Sequence, residues 1–325
     1  MNRYYQGPAS DHFDGDRFFN PGQPTTDRSL RELLRWRLLG RRARWTTTAP
    51  VRPTTPEAAV AGLAVTLVGH ASVLIQAAGR NILLDPVWSR RASPVAFAGP
   101  VRWDEPGIAF ADLPPIDAVL VSHNHYDHLD ADTLGQLWRA HRPRVIAPLG
   151  NDAVIARAVP GCTVETGDWG DRFELAPGLS VTLHPAYHWS ARGTRDRRHA
   201  LWCGFVLETP SGVVYAAGDT AYGDGAPFRL VRERFGPPVA AILPIGAYEP
   251  RWFMRAQHVD PGEAVRILLD CDAAQGLGMH WGTFCLTDEA RFDPPDALLE
   301  ACRRHALDPA RFRALRPGDR WAYTP

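Results

Sequence analysis

The sequence contains no lysine: all 36 of its basic residues are arginine, and 36 acidic residues balance them. The absence of lysine excludes every mechanism that needs a catalytic lysine. The zero net charge gives no global attraction to nucleic acid, so none is expected as a partner. Cysteine is scarce. Cys162, Cys203, Cys271, Cys285 and Cys302 are odd in number and form no CxxC pair. That pattern excludes a disulfide framework or a zinc–thiolate frame and reads as buried thiols in a reducing compartment. No run reaches the ~18 apolar residues of a membrane-spanning helix. The first 21 residues lack the apolar stretch of a signal peptide, so a soluble, cytoplasmic protein is expected. With 45% hydrophobic and 22% charged residues over 325 positions, the chain has an ordinary globular composition, which excludes intrinsic disorder.

Residues 1–27, rich in Gly, Pro, Asp and aromatics, predict an extended arm laid on the body. Asp27 or Ser29 is the candidate cap of a helix predicted from Leu30 to about Arg44. Arg31, Arg35, Arg37, Arg41, Arg42 and Arg44 crowd this segment, while Leu30, Leu33, Leu34 and Leu38 share one face. Two readings stay open: a basic helix touching an anionic membrane surface, or a solvated helix whose leucines pack on the core. The arginine-rich loop 191–199 carries the same ambiguity. A Pro/Thr-rich linker from Thr46 to Pro56 divides residues 1–56 from a single domain over 57–325. From Leu63 onward, short β-branched runs at 63–68, 72–77, 81–85, 118–122, 144–148, 180–184, 201–208, 213–217 and 239–243 predict strands. Helices are predicted near 131–141, 226–235, 261–270 and 295–306. The mixture predicts an α/β fold of layered sheets.

The run AVLVSHNHYDHLD (118–130) carries the chemistry. An apolar strand ends at Ser122, and His123, His125, Asp127, His128 and Asp130 follow within eight positions. If the chain stays extended, residues 123, 125 and 127 project to one side. Neutral imidazoles and a carboxylate are the donors that zinc takes in open catalytic sites. Further along, His184 and His188 in HPAYHW (184–189) compete as one additional ligand; His188 is preferred because it follows the turn begun by Pro185. His70, in LVGHASVLI, reads equally as an orienting or a functional residue. His12, His141, His199 and His305 read as plain surface residues.

HxHxDH after a strand resembles the signature of the metallo-β-lactamase superfamily, and further segments follow in that superfamily's order: ILLDP (82–86), His188, GVVYAAGDT (212–220) and GLGMHWGTF (276–284). The resemblance implies an αβ/βα sandwich of two mixed sheets with helices outside. It also implies two zinc ions per chain, one held by His123, His125 and His188, the other by Asp127, His128 and His280, with Asp219 bridging. The segments DPVWSRRASP (85–94) and PIGAYEPRWFMRAQHVDPGEAVRI (244–267) are more specific. They resemble N-acyl-phosphatidylethanolamine-hydrolysing phospholipase D and its bacterial relatives, over most of residues 10–300. That likeness implies hydrolysis of a phospholipid, with Tyr126 and His258 contacting substrate and Asp127 and His258 as catalytic groups. From the residues alone, Tyr126 faces the metal cavity or its adjacent wall, and His258 is either a hydrogen-bond donor to phosphate or a cap of the following helix. His184 and Ala71 depart from the family pattern and put acyl-chain and headgroup preference outside the reach of the resemblance. A same-fold hydrolase of another ester, such as a lactone or a different phosphodiester, carries an equivalent metal set. A non-catalytic metal-binding protein is the remaining alternative, disfavoured because every ligand implied by the resemblance is present.

Overall fold

The computed structural model describes residues 1–47 and 50–324; Thr48 and Ala49 of the linker, and Pro325, lie outside the described residues. Two seven-stranded sheets face one another. The first contains β1 (Leu63–Gly69), β2 (Ser72–Ala77), β3 (Arg80–Leu84), β4 (Ala118–Leu120), β5 (Arg144–Pro148) and β6 (Val164–Gly167). The C-terminal strand β14 (Arg320–Tyr323) closes its outer edge by pairing antiparallel with β1. The second contains β7 (Arg172–Ala176), β8 (Leu179–His184), β9 (Gly204–Thr209), β10 (Gly212–Ala216), β11 (Ala240–Pro244), β12 (Gly276–Met279) and β13 (Phe312–Ala314). Each sheet begins as an antiparallel meander and becomes parallel, from β3 to β6 and from β10 to β13.

Both faces of the central strands are covered, which is why β1, β2, β8 and β11 read as continuous apolar runs. Leu67, Val73 and Ile75 meet Val181, Leu183 and Phe205 between the sheets. Helices α2 (Ala131–His141) and α3 (Asn151–Ala158) cover the outside of the first sheet through Leu134, Leu137 and Ile155. Helices α4 (Ala226–Phe235), α6 (Pro261–Asp270) and α7 (Asp293–Arg304) cover the second through Phe228, Val265, Leu268 and Leu298. The expected α/β sandwich with helices outside is the observed one.

The N-terminal segment departs from expectation. Helix α1 runs only from Leu30 to Leu39, capped by Ser29 in a reciprocal arrangement with Glu32. It stops at Gly40 because the chain beyond turns extended, with Ala43 N–H on Asp288 O and the Arg42 guanidinium on Leu286 O. Its leucines do not reach the core: Leu30, Leu34 and Leu38 are 78%, 57% and 78% exposed. Trp36 is the anchor instead, buried against Phe253 and Met254 and donating from Nε1 to Asp288. The arm ahead of it is held by Phe13 and Phe18, buried with Trp202 and Ala186. His12 and His199 are buried, contrary to the surface reading. His12 sits between Asp11 and Asp168, 2.6 and 2.8 Å from their carboxylates, and stacks on Trp169.

Candidate metal centre

The chain leaves β4 at Leu120 and bends just past Ser122. His128 N–H and Leu129 N–H both donate to His125 O, and this turn replaces the extended path expected from the sequence. The bend swings Asp127 away from His123 and His125. Asp85, at the end of β3, fixes the loop from below: Oδ1 accepts from Ser122 N–H, and Oδ2 accepts from Ser122 Oγ and pairs with His128 Nδ1 at 2.7 Å. With Nδ1 held, His128 presents Nε2 inward. This carboxylate–imidazole pairing is the usual device for orienting a metal ligand. Sequence reasoning gave Asp85 no role; the available signal was an acid ending an apolar strand directly before a proline.

Of four overlapping donor sets among the described residues, one centres on His125 and one on Asp127, while the other two join Asp219 to His123 and His128 and to His188 and His258. In the first, His125 Nδ1 lies 2.9 Å from His123 Nε2 and 3.3 Å from His188 Nε2. In the second, Asp127 Oδ2 lies 3.0 Å from His70 Nε2, 3.4 Å from His280 Nε2 and 3.7 Å from His128 Nε2. Asp219, past the end of β10, stands between them. Its Oδ2 is 3.1 Å from His128 and 3.7 Å from His188, and its Oδ1 is 3.2 Å from His280. The structure thus brings together all seven residues singled out as ligands and adds His70 beside Asp127.

His188 is oriented twice. Its Nδ1 pairs with Gln257 O, and its carbonyl accepts from Asn20 Nδ2 at 2.9 Å, so the N-terminal arm reaches the centre. The Asn20 amide oxygen in turn accepts from Trp202 Nε1. The competitor His184 is buried elsewhere, with Nε2 on Pro227 O. His258 brings Nδ1 to 3.9 Å from Asp219 Oδ2. It does not cap α6; Asp260 does, in a capping box with Glu263. The Tyr126 hydroxyl donates to Arg192 O, and its ring lies 3.6 Å under the Arg192 guanidinium, so Tyr126 forms wall rather than cavity floor. His125, Tyr126 and Asp127 are the half-buried members of the loop and mark the mouth. Trp189, its ring centroid 4.3 Å from that of His125, lines it as well; sequence reasoning missed it.

Burial dominates the electrostatics. It pushes His70, His125, His188 and His258 down to about 3, and His123 well below the ordinary imidazole value. Against burial, His128 and the neighbouring imidazoles hold Asp127 and Asp219 well below the carboxylate range. Against burial again, Asp219 and Asp127 hold His128 well above the usual value and His280 up to about 9. Neutral imidazoles such as His123, His125 and His188 beside an ionised carboxylate such as Asp219 are donors that a divalent metal takes. The positive charge that Asp219 and Asp127 favour on His128 and His280 is charge that a cation would supply in its place. His128 Nε2, His280 Nε2 and Asp219 Oδ1 are buried with no hydrogen-bond partner, a state rarely left uncompensated. These groups fit metal ions. The backbone is also unusual here: His70, Asp85 and His280 hold left-handed φ values of 55°, 41° and 64°.

Comparison with known proteins identifies the family. Residues 80–281 match the beta-lactamase superfamily domain. N-acyl-phosphatidylethanolamine-hydrolyzing phospholipase D 1 of Caenorhabditis elegans is 38% identical over 271 residues, covering 80% of this chain and 76% of that protein. A metal-dependent hydrolase of Herpetosiphon aurantiacus is 32% identical over 270 residues, covering 81% and 99%. Among solved structures, a metallo hydrolase from the archaeon Ignicoccus hospitalis shares the fold, with a TM-score of 0.59 at 21% identity, over 81% of this chain and 98% of the other. The chain therefore belongs to the beta-lactamase superfamily as a metal-dependent hydrolase of the metallo-β-lactamase fold.

Proposed function

We propose that the protein hydrolyses a phosphodiester bond of a phospholipid, releasing N-acylethanolamine and phosphatidic acid from N-acyl-phosphatidylethanolamine. His258 is the observation that carries this reading. It is a buried imidazole beside the proposed ligands, within reach of His188 and with Nδ1 3.9 Å from Asp219. As a neutral imidazole it serves as a hydrogen-bond donor to a phosphoryl oxygen. The phospholipase D activity in the name of the worm relative supports the same substrate class.

Two zinc ions are the proposed cofactors: His123, His125 and His188 hold one, Asp127, His128 and His280 the other, and Asp219 both. Such ions supply Lewis-acid polarisation of the phosphoryl group and lower the pKa of bound water. The protein groups do the rest. Asp127, at the mouth, orients the attacking water toward phosphorus. His258 donates to a non-bridging oxygen as charge builds there. A new P–O bond forms, the bond to the ethanolamine oxygen breaks, and the water proton goes to that oxygen. Tyr126, stacked under Arg192, forms the substrate-facing wall. Residues 57–325 act as the catalytic domain and residues 1–56 as an accessory arm. In the cytoplasm, the exposed leucines and arginines of α1 contact an anionic membrane surface. Among the described residues, no helix is long and apolar enough to cross a membrane.

The test is hydrolysis of a panel of synthetic phospholipids and lactones by the zinc-loaded protein, with products identified by mass spectrometry. N-acylethanolamine with phosphatidic acid is the expected pair. Diacylglycerol with a phosphorylated headgroup, free fatty acid alone, or turnover restricted to lactones would overturn the reading.

A further inference from the structure

A second cleft, of about 460 Å³, lies beside the metal centre, where the N-terminal arm, the loop after β10, helix α5 (Arg251–Met254) and α6 meet. Four arginines line it, Arg28, Arg251, Arg255 and Arg266, against one acid, Glu263. In a chain of zero net charge, this is a local concentration and not a reflection of composition. The arginines are not equally engaged. Arg251 is spent on structure, donating to Glu263 at 2.7 Å and to His258 O at 2.9 Å. Arg28 donates to Phe253 O and lies 3.5 Å from Glu32. Arg255 is 77% exposed and only 3.9 Å from Glu263, so that contact is loose. Arg266 has no ion pair among the described residues; its guanidinium lies 3.8 Å over the Tyr222 ring and favours ionisation of that hydroxyl.

The aromatic walls point to the ligand's other half. Tyr187, Tyr222 and Trp252 line the cleft; the two tyrosine hydroxyls donate to Asp224 and Asp270, and Arg266 covers one face of the Tyr222 ring. Both carboxylates have further partners: Asp224 accepts from Ala226 N–H, and Asp270 is 3.9 Å from Arg229. Guanidinium groups recognise phosphoryl oxygens by paired, charge-assisted hydrogen bonds, and ring faces take an organic substituent. The cleft also shares its wall with the centre. Tyr187 precedes the ligand His188, Ala221 follows Asp219 by two residues, and Ala256 precedes His258 by two.

We propose that this arginine-lined cleft is a phosphomonoester-binding site separate from the metal centre. It takes a phosphoryl group that arrives either free or as a lipid headgroup. The proposal does not depend on which ester the centre cleaves. Isothermal titration of the metal-loaded, full-length protein tests it, with inorganic phosphate and monomeric dihexanoyl phosphatidic acid as probes. Arg255→Gln/Arg266→Gln is expected to weaken one binding event at least about tenfold, the scale of losing one charge-assisted contact. Metal content should remain unchanged, and Arg303→Gln, on α7 and outside the cleft's lining, should leave the isotherm as it was. The single Arg255→Gln variant, at an exposed side chain, repeats the test with minimal disturbance of the fold. Tighter binding of phosphatidic acid than of phosphate by tenfold or more assigns the lipid headgroup; equal affinity assigns the free phosphoryl group. Isotherms unchanged by the arginine substitutions, or no heat from either probe, would overturn the proposal.

Discussion

The sheet that ends in β6 delivers His123, His125, Asp127 and His128 on one bend directly after β4, whereas the sheet that ends in β7 delivers His188, Asp219 and His280 from the ends of three separate strands. The first set is held locally. Its turn hydrogen bonds lie within the loop, and Asp85 grips it from the neighbouring strand. The second set is held by the whole molecule. Strands β8, β10 and β12 must keep register, Gln257 must meet His188, and the arm must bring Asn20 across. The contrast teaches that half of the centre is specified by one loop, while the other half exists only when the sandwich is assembled. Asp219 joins the two halves.

The comparison breaks most sharply at Asp219. Asp219→Ala should empty both metal positions and reduce hydrolysis to background, whereas His188→Ala should cost one ion; elemental analysis after zinc reconstitution distinguishes them. Two ions retained in Asp219→Ala would show the halves to be independent. Next in size is His258→Ala, expected to lower turnover by roughly 10²–10³ with metal content unchanged, the scale of one lost transition-state donor. Zinc lost together with activity would make His258 a ligand of the strand-end set. Asp85→Asn sharpens the local side of the contrast. It should weaken metal binding by about 10–100-fold through His128, without unfolding, as measured by chelator competition and circular dichroism. The smallest effect belongs to the arm. Burial opposes charge on His12, but Asp168 and Asp11 hold its pKa above the usual imidazole value, and Asp168 is held below the usual carboxylate value, again against burial. A raised folded pKa stabilises below the unfolded value and is lost as pH rises through the folded one. Melting temperature should therefore fall as pH climbs above about 6.5, the ordinary imidazole value. Substitution His12→Gln should remove about 1–2 kcal/mol below that pH and flatten the dependence. A profile identical to wild type would detach His12 from the clamp.

How much of this was legible in the sequence follows the same division. HNHYDH declares itself because alternate polar side chains after an apolar strand have no other economical use. His188, Asp219 and His280 are single residues in unremarkable strand ends, and only their order, matched to a known superfamily, marked them. The supporting contacts stayed hidden. Gln257 acts through a backbone carbonyl, which no side-chain pattern reveals, and His12 looked like a surface residue because its partner Asp168 is 156 positions away. The leucine stripe of α1 misled in the other direction: periodicity predicts an amphipathic face but not what covers it. Short strands such as β6, β12 and β13, three or four residues each, are set by their neighbours in the sheet and leave little local signal.

The left-handed backbone at His70, Asp85 and His280 has a consequence for how this protein responds to selection. Each non-glycine residue in that region costs on the order of 1 kcal/mol, held in place by the surrounding fold. Glycine at any of the three would relax the chain while deleting an imidazole or carboxylate on which the centre depends. A laboratory screen that rewards heat resistance alone would gain nothing from glycine at Asp85, where about 1 kcal/mol of relief is outweighed by three buried hydrogen bonds. At His70 or His280 it would relax the chain only by removing an imidazole of the centre. Retaining activity in such a search requires that these three residues be scored by function at every round.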